Sequence, residues 1–177
     1  MAYWGIAYGI GPNYNKLWEM FEPAERVSAL TTAHQAIAKG LALPGCSETE
    51  HKLLTALASR YPDDPETEDF APFNDAFVEA MRPVYLANPA DLDIASIFTE
   101  ALMGRTPWQL WDLEHGTPAD GASTTEARTV LENAFNSELA AWSHPGLLHL
   151  YIHLMEMSPT PELALRHGDH LATLVPD

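Results

Sequence analysis

Residues 23–43, PAERVSALTTAHQAIAKGLAL, carry the pattern that decides the fold of this chain. The apolar side chains of this stretch recur every three or four residues, and they are Val27, Leu30, Ala33, Ile37 and Leu41. That spacing places them on one face of an α-helix. Pro44 and Gly45 follow at once and are typical of a helix end. The stretch therefore predicts a long amphipathic helix with one buried face.

Helix signals of the same kind recur along the rest of the chain. Ser47 with Glu50, and Ser123 with Glu126, each fit the capping box that opens a helix. Asp91 is a good N-cap for a helix that runs to Met103. No stretch alternates apolar and polar residues well enough to predict a strand. We therefore expect an all-α fold of about eight helices, packed as antiparallel neighbours.

The composition is typical of one globular domain with a strong acidic balance. The chain has 177 residues, of which 46% are hydrophobic and 19% charged, so residues 1–177 can form a single domain with a core. Twenty-five acidic and nine basic residues leave a net charge of −16. This argues against nucleic acid as a partner, because phosphate binding needs clustered Lys and Arg. It also argues against docking on an anionic membrane surface and favours basic or neutral partners.

Cysteine content and hydropathy bear on the compartment. Cys46 is the single cysteine, which excludes an internal disulfide and a cysteine-based metal cluster. No segment has the roughly 18 apolar residues of a membrane span, and no secretory leader is visible. The sequence therefore predicts a cytoplasmic protein that does not cross a membrane.

The chain begins abruptly with aromatic and apolar residues. Residues 1–8 read MAYWGIAY, without a capping residue or a polar lead-in. Such a strip needs cover. We expect it to be buried either against a preceding part of a longer protein or by self-association as a homo-oligomer.

Helix pairs that end in proline prompt a search for helical repeats. A tetratricopeptide repeat closes with four residues at a fixed spacing. Two sets of residues keep that spacing with degenerate residue types, namely Phe77, Met81, Val84 and Pro89, and Ala164, Gly168, Leu171 and Pro176. Spacing alone is weak support, because many amphipathic helices that end in proline match it.

Three longer stretches carry more than spacing. They are AYWGIAY at 2–8 with GPNYN at 11–15, EALM at 100–103 with PWxLW at 107–111, and HPGxxHLYIHxxE at 144–156. Through them the chain resembles a family of microbial and fungal tetratricopeptide-repeat-like proteins. The resemblance implies an α-α superhelix of stacked antiparallel helix pairs. It also implies further residues at both ends, including a His-rich stretch beyond residue 177.

One helix has unusual chemistry. Residues 147–157, LLHLYIHLMEM, are apolar or aromatic except at His149, His153 and Glu156. At 100° per residue these three lie within about 60° of one another on the helix surface. A helix that is apolar elsewhere is buried on its other faces, so this polar stripe lines solvent, a cleft or a polar neighbour.

The stripe is compatible with a metal site. Two imidazoles one turn apart can bind one ion, and Glu156 can be a third ligand or can orient a histidine. Two histidines and one carboxylate leave positions open for substrate and suit iron, copper or zinc. The alternatives are a polar cleft without metal and a structural role in which carbonyls satisfy the imidazoles.

Residues on other helices extend this hypothesis. His170, with His167 on the last helix, can reach the same cleft as a further ligand. Glu100 is the one acid in residues 97–103 and has apolar neighbours in sequence, so we take Glu100 and Glu156 as candidate catalytic groups. An exposed helical glutamate is the alternative for Glu100.

The aromatic residues of the motifs are the candidate pocket wall. Trp108, Trp111 and Tyr151 can line a ligand pocket. Residues 104–111 are expected to form a bend, and tryptophans in such a bend, here Trp108 and Trp111, are more often core anchors. Two functions follow. The first is a helical-repeat binding protein whose His- and Glu-lined cleft takes a small molecule or a peptide. The alternative is a metal-dependent enzyme, oxidative or hydrolytic, that uses the His149-His153-Glu156 site.

Overall fold

The protein is mostly helical in the computed structural model, which describes residues 1–175. Its α-helices are α1 Ala2–Ile10, α2 Pro23–Leu41, α3 Glu48–Ala58, α4 Ala71–Ala87, α5 Leu92–Met103, α6 Thr124–Ser137, α7 Pro145–Met155 and α8 Leu165–Leu174. Short 3₁₀ turns occupy Trp18–Met20, Leu139–Ser143 and Pro161–Ala164. The predicted helical class is confirmed. Pro176, the last residue of the second repeat spacing, lies outside the described residues.

Two short strands interrupt the helical pattern, although no stretch of the sequence predicts a strand. The strands β1 Trp111–Asp112 and β2 Thr117–Pro118 pair antiparallel, with Trp111 opposite Pro118. Asp112 accepts hydrogen bonds from the backbone N–H groups of Glu114 and His115, which closes the turn between them. Two residues per strand are too few to produce a recognisable alternation.

The chain divides into two compact units, Met1–Leu86 and Ala87–Asp177. In the first unit α1 packs against α2 and α3, and α2 packs against α3. Trp18 is 1% exposed, and its ring lies 5.7 Å from that of Phe70 and 5.8 Å from that of Tyr61. An aromatic cluster thus forms the centre of this unit.

The aromatic start of the chain is covered by later helices of the same unit. Trp4 and Ala7 are buried, and the ring of Trp4 stacks on that of Tyr8 at 4.6 Å. These two residues are therefore covered within the unit, and the expected preceding part of a longer protein stays a prediction. Ile6 and Ile10 remain 50% and 40% exposed, and self-association stays a prediction.

The first predicted capping box is confirmed. The Ser47 hydroxyl accepts a hydrogen bond from the Glu50 N–H, and the Glu50 carboxylate accepts one from the Ser47 N–H. This hydrogen bond from the Ser47 backbone, together with the nearby amino terminus, lowers the pKa of Glu50 to about 2. Asp91 likewise accepts from the Ile94 N–H, as predicted.

The second predicted capping box does not form. Ser123 makes no capping hydrogen bond, and its hydroxyl instead accepts one from Nη1 of Arg105 at 2.8 Å. Its ψ of 24° also departs from the extended backbone of an N-cap. The Ser123 hydroxyl is therefore engaged by a side chain distant in sequence and not by the first turn of α6.

The second unit is built around α7. Helix α7 packs against α5, α6 and α8, and α5 packs against α6. Leu147, Leu148 and Leu154 are fully buried at its centre.

None of the helices described in residues 1–175 has the length and apolar character of a membrane span.

Helix boundaries in this unit differ from those predicted. Pro145 and Gly146, residue types that are typical of a helix break, form the first turn of α7. His144 caps this turn, because its Nδ1 accepts a hydrogen bond from the Leu147 N–H at 3.2 Å. Gly146 permits a close approach to α5, since a Cβ there would lie 2.7 Å from Oγ of Ser96.

Candidate functional site

Helix α7 presents polar groups on two different faces. His149 and His153 lie on one face, and Glu156 follows directly after the helix as its C-cap. Tyr151 projects about 200° away from His149 at 100° per residue. The leucines between these positions are buried, so the two faces belong to separate environments.

The face with the histidines carries a short polar row. The rings of His149 and His153 are 4.5 Å apart, and Nδ1 of His153 lies 3.0 Å from Oε1 of Glu156. His149 is exposed by surface area, yet partial burial of its ring, followed by the charge of His153, lowers its pKa. The neutral form of His149 is therefore favoured at pH 7.

The predicted fourth metal ligand is elsewhere. The ring of His170 lies 5.1 Å from that of Trp142, within the cluster around Tyr151 rather than beside His149. Among residues 1–175, no three His, Cys, Asp or Glu side chains are grouped so that they could hold a metal ion. His149, His153 and Glu156 do not form such a group either, so the predicted metal site stays a prediction.

A cavity of about 390 Å³ opens on the other face of α7. It is lined by Arg128, Glu132, Phe135, Asn136, Trp142, Tyr151, Leu163, Arg166 and His167. Helix α6 supplies the first four of these residues, and the segment from Leu163 into α8 supplies the last three. This size is in the range of pockets that hold small organic ligands.

His167 is the centre of the aromatic wall. Its ring stacks on Tyr151 at 4.0 Å, lies 4.8 Å from the ring of Trp142 and meets Phe135 edge-on at 4.6 Å. His167 is only 7% exposed, and Nδ1 lies 3.2 Å from the carbonyl oxygen of Leu163. Because a carbonyl only accepts, Nδ1 carries the proton in this contact.

Burial also sets the protonation of His167. Loss of solvent lowers its pKa, and the nearby positive charge of Arg166 acts in the same direction. The imidazole is therefore neutral at pH 7. With its proton on Nδ1, its Nε2 is a hydrogen-bond acceptor.

A hydrogen-bonded chain of polar groups forms another part of the cavity wall. Nε of Arg128 donates to Oε1 of Glu132 at 2.7 Å, and the Tyr151 hydroxyl donates to the same oxygen at 3.3 Å. The bond to Glu132 raises the pKa of Arg128, while burial raises that of Tyr151. Arg128 therefore stays charged, and Tyr151 stays a neutral donor.

Of the predicted pocket residues, Tyr151 is the one that lines this cavity. Trp111 is 9% exposed, and its Nε1 donates to the carbonyl oxygen of Leu154 at 2.6 Å, so it anchors the core. Trp108 is 39% exposed and has a positive φ of 57°. Neither tryptophan belongs to the cavity wall.

Glu100 is buried in α5 at 7% exposure, and the alternative of an exposed helical glutamate is excluded. The residues that line the 390 Å³ cavity do not include Glu100 or Glu156. A catalytic role for either residue stays a prediction.

Sequence reasoning missed most of the cavity wall. The arginine and glutamate at 128 and 132 are one helical turn apart and form an ordinary surface pair by pattern. Trp142 and Arg166 stand in separate segments, and only the fold brings the guanidinium to 3.8 Å from the indole ring. Two residues of this wall were singled out by the sequence, Tyr151 as a pocket residue and His167 near the other face of α7.

Comparison with known proteins gives no further guide. No protein-family model matches the chain, and neither does any curated protein or solved structure. The resemblance to tetratricopeptide-like proteins therefore stays an expectation.

Proposed function

We propose that this chain is a helical-repeat binding protein that holds a small molecule, or the end of a peptide, in the cavity beside α7. The single observation that carries the proposal is the wall of that cavity. It combines a stacked aromatic cluster with charged and polar groups, within about 390 Å³. Ligand pockets in proteins have this mixture of apolar surface and a few placed polar groups.

The repeat architecture is supported by a contact pattern found in both units. In the first unit α1 contacts α2 and α3, and α2 contacts α3. In the second unit α5 contacts α6 and α7, and α6 contacts α7. Helices α1 and α5 thus each pack against the next two helices of their unit, an arrangement compatible with stacked helix pairs.

Indole N–H signals offer a direct test. The chain has five tryptophans, and the Trp142 indole donates to the Phe135 carbonyl at 3.1 Å at the cavity wall. We expect a screen of small organic fragments against ¹⁵N-labelled protein to yield compounds that shift the Trp142 indole signal. The exposed Trp108 indole is the internal control. If no fragment moves the Trp142 signal, the proposal is wrong.

A pair of variants on α6 separates binding in the cavity from binding elsewhere. Asn136 is exposed and lines the cavity, whereas Asn133 is exposed on the same helix and does not line it. We expect Asn136→Phe to obstruct the cavity and abolish the fragment shifts, and Asn133→Phe to leave them unchanged. Equal effects of the two variants would contradict the assignment of the site.

A second candidate is the metal-dependent activity, oxidative or hydrolytic. It is favoured by the contact between His153 and Glu156, because a carboxylate on one imidazole nitrogen is how proteins orient a metal-ligating histidine. Elemental analysis of untagged protein, purified without chelator, tests it. Near-stoichiometric iron, copper or zinc that is lost in His149→Ala/His153→Ala would support the site. Absence of metal from the wild type would contradict it.

A further inference from the structure

Positive charge is concentrated at the cavity in an otherwise acidic chain. The protein has nine Lys and Arg residues against 25 Asp and Glu, and two of the nine, Arg128 and Arg166, line this cavity. Glu132 is the one carboxylate in its wall. Two guanidinium groups against one carboxylate leave a single positive charge, because the neutral His167 adds none.

The two guanidinium groups have donors to spare. Arg128 uses Nε for Glu132, and no other described residue accepts a hydrogen bond from its terminal nitrogens. Arg166 lies over the Trp142 ring at 3.8 Å, and among residues 1–175 it has neither a hydrogen bond nor an ion pair. A guanidinium fork that is held by its stem or its face, with its N–H groups open, matches the geometry of a carboxylate.

We infer that the cavity selects a small organic monocarboxylate, held by Arg128 and Arg166 against the aromatic wall. This inference rests on the proposed binding function and specifies its ligand class. A monoanion balances the single excess charge, whereas a phosphate dianion would exceed it beside the carboxylate of Glu132. The composition favoured basic or neutral partners, and the local charge of the cavity reverses that expectation.

Three probes of similar size, of which the acid and the amide also share their shape, test the role of charge. Phenylacetate, phenylacetamide and phenethylamine share one aromatic ring and carry charges of about −1, 0 and +1 at pH 7. Each is titrated into the ¹⁵N-labelled full chain while the Trp142 indole signal is followed. We expect phenylacetate to bind at least about tenfold more tightly than the amide, since hydrogen bonds to charged groups are worth more than neutral ones. Phenyl phosphate provides the dianion for comparison, and we expect it to bind more weakly than phenylacetate.

Charge-removing variants identify the groups responsible. Arg166 is exposed, so Arg166→Gln removes its charge with little risk to folding. We expect it to weaken phenylacetate binding about tenfold and to leave phenylacetamide binding unchanged, with a similar result for Arg128→Gln. Lys39→Gln, on an exposed position of α2, removes one positive charge from the other unit and is the matched control.

The outcomes distinguish this inference from the function on which it rests. If the amide or the amine binds in the cavity as tightly as phenylacetate, the monocarboxylate assignment is overturned and the binding function stands. Tighter binding of phenyl phosphate overturns the charge argument in the same way. If Arg166→Gln and Lys39→Gln weaken binding equally, the two arginines are not the clamp. If no fragment of any charge moves the Trp142 signal, both proposals fail together.

Discussion

Two histidines of the second unit, His149 and His167, are partly shielded from solvent, which favours their neutral form. Burial lowers the pKa of His167 and of His149 below the ordinary value of 6.5. The unfolded chain therefore takes up protons near pH 6.5 that the folded chain takes up only at lower pH. Their contribution to stability is complete above about pH 6.5 and is lost as the pH falls through the folded pKa values.

Urea denaturation measures this dependence. We expect the midpoint to fall between pH 7.5 and pH 5.5 in the wild type, and to fall less steeply in His149→Gln/His167→Gln. Between pH 7.5 and pH 8.5 the two slopes should agree, because neither histidine titrates there. Identical slopes below pH 6.5 would show that these imidazoles do not govern acid stability.

Trp111 and Trp108 stand three residues apart but occupy different environments. Trp111 is 9% exposed and donates to the Leu154 carbonyl, whereas Trp108 is 39% exposed. We expect Trp111→Phe to lower the free energy of unfolding by about 1–3 kcal/mol, because it removes packing and leaves a buried carbonyl without its donor. Trp108→Phe should cost clearly less. Comparable losses in chemical denaturation would refute the assignment of Trp111 as the core anchor.

At the scale of the element, two stretches with nearly the same sequence begin helices in different ways. Ser47 caps α3 through a reciprocal hydrogen-bond pair with Glu50, while Ser123 before α6 makes no capping bond. We expect Ser47→Ala to cost about 1 kcal/mol of stability and Ser123→Ala less than half of that. Thermal or urea denaturation of the two variants decides the matter. A larger loss for Ser123→Ala would mean that its contact with Arg105 outweighs a cap.

Helix α7 illustrates why element boundaries shift between prediction and structure. Pro and Gly together are typical of a break, but proline at the first helical position has the required φ and has no N–H to satisfy. His144 then supplies the cap through its ring nitrogen, a role that a histidine rarely signals by sequence. The start of α7 therefore depends on a side-chain orientation that no local pattern specifies.

At the scale of the whole molecule, the net charge of −16 opposes compaction. Salt screens this repulsion, with a Debye length of about 30 Å at 0.01 M and about 8 Å at 0.15 M. We therefore expect the melting temperature to rise when NaCl is increased from 10 to 150 mM, and an equal rise in KCl would exclude an effect specific to sodium. A fall in melting temperature would mean that attractive ion pairs outweigh the net repulsion.

The sequence by itself determined the helical class, most helix positions and the first capping box. These features depend on the spacing of apolar residues and on contacts between residues at most four positions apart, and both are visible in the sequence. It also singled out Tyr151, His149 and His153 as the unusual residues of α7. The sequence could not separate their roles. The spacing of residues along a helix indicates which of them share a face, but not which other part of the protein packs against that face.

Only the tertiary structure decided where the cavity lies and what lines it. Arg128, Trp142 and Arg166 come from three segments, and each has an ordinary local pattern. Packing between segments distant in sequence brings these three residues to one wall. It also buries His167 against Tyr151 and places the Trp111 side chain in the core. The cavity wall has a net positive charge, whereas the whole chain has a net negative charge. The composition gives only the sum over all residues, but a bound ligand interacts mainly with the few groups within hydrogen-bonding distance.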